Sequence, residues 1–105
     1  MNTKIKEFIN GENTVEIRNK SEFQDFVNLL KRDGVINSVF VHYNDFDYDH
    51  WKEIVCASAS HGTYDMVFEH DPAYKGVALY TDRRDSMDWY GRTPYTVPEL
   101  ERAGY

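Results

Sequence analysis

A chain of 105 residues with 41% apolar and 15% aromatic side chains is long enough for one hydrophobic core and too aromatic to stay disordered. Its formal charge of −6 disfavours direct binding to nucleic acid, whose affinity is dominated by phosphate neutralisation, and no run approaches the ~18 apolar residues of a membrane span. The charge is uneven: residues 1–40 hold six Lys/Arg against six Asp/Glu, residues 83–105 four against four, and residues 41–82 two against eight.

Residues 1–12 are polar and are expected to be frayed or loosely docked. Thr14 to Arg18 alternates apolar and polar and reads as a first strand. Ser21 with Gln24 forms a capping box, so a helix is predicted from there. Phe23, Phe26, Val27 and Leu30 recur at i, i+3, i+4 and i+7 and make its apolar face. Lys31 and Arg32 suit its last turn, and Gly34 suits the position just past its end. Val35 to Tyr43 is β-branched and aromatic and predicts a central strand.

Asn44 to Asp49 reads as a loop and N-cap, followed by a helix over roughly 49–59 that turns Trp51, Ile54, Val55 and Ser58 to one face. Tyr64 to Glu69 alternates as a half-exposed strand. Asp71-Pro72 and Gly76 bound the short link to a strand over Val77 to Thr81, which implies an antiparallel hairpin. From Asp82 through Pro94 the chain reads as loop-rich. Thr96 with Glu99 is a second capping box, and Pro98 suits the start of a short closing helix. The order predicts one α+β domain over 1–105. Its mixed sheet has about four strands, with two main helices on one face and a short C-terminal helix. A first β–α–β unit with parallel strands is compatible with this order.

Chemistry-bearing patterns are sparse. Asp45, Asp47 and Asp49 have the spacing of a calcium loop, but His50 stands where that loop needs Gly and Cys56 where it needs Glu. A solvated turn whose last Asp caps a helix is the simpler reading. His42, His50, His61 and His70 offer acid–base or ligand groups, yet no pair has the i, i+4 spacing of a helical zinc motif. Cys56 follows the apolar Val55 and reads as a buried structural thiol, and as the only cysteine it excludes an internal disulfide. Arg83 and Arg84 lie among carboxylates and read as a surface ion-pair cluster. The stretch Ser86 to Tyr95 either packs as a satellite core or presents an aromatic anchor.

All eight tyrosines lie after residue 42, five of them within the acidic stretch 41–82. Rigid aromatics beside carboxylates suit a contact surface better than a catalytic pocket. The expected partner-binding residues are Asp45, Asp47, Tyr48, Asp49, Asp65, Glu69 and Asp71, with Trp89 and Tyr90 as anchors. The expected partner is a basic protein surface, with no direct nucleic acid and no membrane. No catalytic residue, metal or cofactor is implied. The opening Met1-Asn2-Thr3-Lys4-Ile5-Lys6-Glu7 has no apolar run behind it, and a cytoplasmic location is expected.

In size, acidity, tyrosine content and the Val15-Glu16-Ile17-Arg18-Asn19-Lys20-Ser21-Glu22-Phe23 strand–cap–helix, the chain resembles small accessory proteins of bacteriophages and mobile elements, including anti-CRISPR and anti-restriction inhibitors. That opening covers under a tenth of the chain, belongs to no one family and carries over no binding residue. The resemblance implies an inhibitor that occupies the basic surface of a nucleic-acid-binding protein. Two other classes stay open: a small metal-dependent or histidine-based enzyme, and an assembly protein that forms homodimers.

Overall fold

The structure, a computed structural model, describes residues 2–59, 62 and 64–103. The Asn2 side chain accepts from the backbone N–H groups of Lys4 (2.9 Å) and Ile5 (3.3 Å) and so caps a helix, α1 (Thr3–Ile9). Its amide also donates to the Leu100 carbonyl, and its backbone N–H donates to Asp33 at 3.1 Å. Ile5 and Phe8, three residues apart, are fully buried. The N-terminal segment, expected to be frayed, is therefore part of the core. Ile9 packs against the same core, so Ile5, Phe8 and Ile9 form a short i, i+3, i+4 face within an otherwise polar segment, and tertiary contacts hold the short helix.

Strand β1 (Val15–Ile17) leads into α2 (Lys20–Arg32). The cap is Asn19, whose side chain accepts from the Glu22 N–H at 2.9 Å, so the helix begins one residue before the predicted Ser21 cap. Glu22 reaches back to the Arg18 N–H at 3.0 Å. Phe23, Phe26, Val27 and Leu30 are buried as their spacing predicts. Gly34, with φ +73°, takes the left-handed turn that releases the chain from the helix.

The predicted central strand over Val35 to Tyr43 does not form. That segment is a short helix, α3 (Ile36–Val39), followed by a 3-10 turn over Tyr43–Phe46. Both edges of β1 are already taken, because the sheet order is β3-β2-β1-β4. The β-branched and aromatic side chains serve packing instead: Val39 and Phe40 are buried, and Phe40 stacks on Phe23 at 5.7 Å.

Helix α4 (Tyr48–Ser58) is capped by Asp47 and turns Trp51 and Val55 inward. Strands β2 (Met66–His70) and β3 (Val77–Tyr80) form the predicted antiparallel hairpin. Residues 82–91, predicted as loop, instead form α5 (Arg83–Tyr90). Asp82 caps it by accepting from the Arg84 N–H at 2.9 Å, and Gly91 (φ +68°) ends it. Strand β4 (Tyr95–Thr96) pairs parallel with β1. Thr96 and Glu99 then make the predicted capping box of α6 (Val97–Ala103), with the hydroxyl donating to Glu99 at 3.1 Å.

The result is the expected α+β arrangement with a four-stranded mixed sheet, although its fourth strand is Tyr95–Thr96 rather than 35–43. Val15, Phe68 and Leu79 share one sheet face by their register. On that side Phe68 meets Phe23, Phe26, Phe40 and Trp51, with ring centroids 4.9 to 6.4 Å away. Both main helices, α2 and α4, thus pack on the same face. The opposite face, with Val67, Glu69, Ala78 and Tyr80, carries α5, and the buried Ser86 permits its close approach. Among the described residues no helix is long and apolar enough to cross a membrane.

Candidate functional site

Strand alternation puts Glu69 on the α5 face, opposite the core. The hairpin pairs Glu69 with Ala78 and Val67 with Tyr80, so Tyr80 is the diagonal neighbour of Glu69. Helix α5 delivers Tyr90 to the same point. Both phenols donate to one oxygen, Glu69 Oε2, at 2.9 Å from Tyr80 and 2.7 Å from Tyr90. Burial first, then the bond and charge of Glu69, push the Tyr80 phenol up to about 12. The same two causes raise Tyr90. The other carboxylates acting on them are Asp85 on Tyr80 and Asp71 on Tyr90. Both hydroxyls therefore remain protonated donors at physiological pH.

The hairpin turn forms the other wall. Asp71 Oδ1 accepts from the Ala73 N–H at 2.8 Å, and its carbonyl accepts from the Tyr74 N–H at 2.9 Å. Gly11 (φ +75°) lies against this turn, and a Cβ there would stand 3.3 Å from both the His70 carbonyl and Pro72. Between turn, sheet and α5 lies an open cleft of about 410 Å³ lined by Glu69, Asp71, Tyr74, Tyr80, Trp89 and Tyr90, together with Asn10, Gly11 and Pro72. No Lys or Arg lines it among the described residues. Trp89 is 77% exposed and Tyr74 64% exposed, each a large apolar ring left in water at the cleft.

Four of the nine expected partner-binding residues, Glu69, Asp71, Trp89 and Tyr90, thus meet in one cleft. The other five lie elsewhere. Asp45 is buried, and its carboxylate accepts from the His42 N–H at 3.0 Å. Its carbonyl accepts from Trp51 Nε1 at 2.8 Å. Asp47 caps α4 by accepting from the Asp49 N–H at 3.0 Å. Asp49 is exposed, with Lys20 at 4.0 Å. Tyr48 packs on Phe23, with centroids 5.7 Å apart. Asp65 accepts from the Arg83 N–H at 2.9 Å at the start of α5. Tyr74 and Tyr80 line the cleft without having been singled out, and the sequence signal for Tyr80 was the hairpin register that places it beside Glu69.

The histidines are differently employed. His70 is buried with Nδ1 2.7 Å from the Ile9 carbonyl and Nε2 3.3 Å from the Ser38 carbonyl, which ties β2 to α1 and α3. His42 is exposed, His50 lies against Trp51, and His61 lies outside the described residues. No group of three His, Cys, Asp or Glu among the described residues is placed to hold a metal ion. Cys56, expected to be buried, is exposed, because Trp51 and Val55 set the inward face of α4 and Cys56 follows a further 100° around the helix.

Glu16 shares the α5 face of the sheet, 3.9 Å from Arg83. Burial raises its carboxyl above the ordinary value; Arg83 pulls it back, and Asp65 pushes it up again. A carboxyl raised in the folded state costs nothing below the unfolded pKa and its full penalty above the folded one. Glu16→Gln is therefore expected to stabilise the protein at neutral pH by less than about 1 kcal/mol and to give no gain near pH 3. Parallel urea melts at the two pH values check this, and destabilisation at neutral pH would show that the Arg83 pair outweighs burial.

No protein-family model, curated protein or solved structure matches the chain.

Proposed function

We propose that the protein is a non-catalytic binding module whose acidic, aromatic cleft seats a basic surface of a partner protein. One observation carries this reading: Glu69 and Asp71 converge with Tyr74, Tyr80, Trp89 and Tyr90 on a cleft lined by no cation among the described residues. Carboxylates attract a basic partner, and exposed rings supply anchor area at low conformational cost. The partner class that fits is a nucleic-acid-binding protein, whose phosphate-binding surface is basic by necessity. Carboxylates held along the cleft would then stand in for phosphates, and the protein would act as an inhibitor in the cytoplasm.

The test is capture from a bacterial lysate by the tagged chain at low and at high salt, read by mass spectrometry, beside the double variant D71N/W89A. Trp89 is exposed, and Asn at 71 can still accept from the Ala73 N–H, so the variant is expected to fold. The expected result is a basic protein retained by the parent at low salt, released at high salt and missed by the variant. Equal retention by parent and variant, or a partner indifferent to salt, overturns the reading.

A further inference from the structure

The two carboxylates of the cleft are only half engaged by the fold. Glu69 Oε2 accepts both tyrosine hydroxyls, while Oε1 has no hydrogen-bond partner among the described residues. Asp71 Oδ1 accepts from the Ala73 N–H, while Oδ2 is likewise without a partner among the described residues. One acceptor from each acid is thus available at the cleft, from two separate elements, the end of β2 and the turn after it. The exposed rings of Trp89 and Tyr74 belong to the same lining.

Resting on the reading above, we infer that this cleft is an arginine-binding site: it seats the guanidinium of an arginine side chain from the basic partner. A guanidinium is flat and weakly hydrated and carries five N–H donors in a fixed fork. It can donate to Glu69 and Asp71 at once while its face lies on an indole or phenol ring. A lysine ammonium is a compact, strongly hydrated point charge, which gains less from flat aromatic walls and pays more to leave water. The tyrosine pair fixes the Glu69 carboxylate before the ligand arrives, so little ordering remains to be paid on binding.

The experiment follows the two tryptophan indole N–H signals of the full chain by NMR, assigned with Trp89→Phe. Short blocked peptides containing arginine, lysine or citrulline are titrated in turn. The arginine peptide should move the Trp89 signal and leave that of Trp51, which is buried and donates to the Asp45 carbonyl. It should bind about fivefold more tightly than the lysine peptide, and Asp71→Asn should weaken it. The neutral citrulline peptide should leave Trp89 unmoved. Equal affinity for lysine and arginine overturns the arginine assignment but leaves the basic-partner reading standing. Binding of citrulline as tightly as arginine overturns both, because charge would then not be what is recognised. An unmoved Trp89 with all three peptides overturns the arginine assignment, and the lysate capture then judges the broader reading by itself.

Discussion

Phe8→Ala is expected to destabilise the protein by about 3–5 kcal/mol. Phe8 is fully buried, meets Phe26 edge-on with centroids 5.6 Å apart, and lies 6.0 Å from the His70 ring. Truncation removes a large apolar surface and leaves a cavity bounded by α2 and β2, where Phe26 is held in place by its stacking on Phe68. For a domain held by about 5–15 kcal/mol, that is a large share of its stability. Urea denaturation followed by circular dichroism measures it. A loss below about 1 kcal/mol would mean that α1 is not docked as part of the core, and that residues 1–12 are as loosely held as their polarity suggests.

At Glu69 stability and binding are expected to separate. Glu69→Ala removes the only acceptor of the Tyr80 and Tyr90 hydroxyls among the described residues, both partly buried, and is expected to cost about 1–3 kcal/mol. Glu69→Gln keeps a carbonyl oxygen for those donors and should cost less. It removes the negative charge, however, and should weaken the captured partner at least about tenfold. Urea melts of both variants beside their affinity for that partner give the two readouts. If the Gln variant binds as tightly as the parent, the charge of Glu69 plays no part in recognition and its role is only to hold two tyrosines.

Much of the scaffold can be read from spacing. The face of α2, the β2–β3 hairpin, the inward Trp51 and Val55 and the Thr96–Glu99 cap all follow from local pattern. The segments that differ are those where tertiary placement overrides it. The stretch 35–43 has strand composition but finds no free edge beside β1. Helix α5 carries a cap at Asp82 and a stop at Gly91, yet its body is polar, since it buries chiefly the small Ser86. Helix α1 fully buries only Ile5 and Phe8.

The candidate site was legible as a stretch and not as a set. Charge placement marks residues 41–82, but an Asp that caps a helix and an Asp that meets a partner look alike in sequence. Asp45, Asp47 and Asp65 spend their carboxylates on backbone N–H groups of the fold. Glu69 and Asp71 keep one oxygen each for the cleft. Only the sheet register and the docking of α5 reveal that difference: the register brings Tyr80 to Glu69 across 11 positions and the helix brings Tyr90 to it across 21.

The most direct measurement is calorimetric titration of the partner retained at low salt into three proteins: the parent, D71N/W89A and D47N/D49N. The latter pair changes charge at the start of α4, where Asn can still cap the helix, and leaves the cleft untouched. The cleft variant should lose at least about tenfold in affinity and most of its salt dependence, while the α4 variant should stay within about twofold of the parent. An unchanged affinity for D71N/W89A, with the loss falling on D47N/D49N instead, would contradict the assignment of the cleft and move the binding surface to the start of α4.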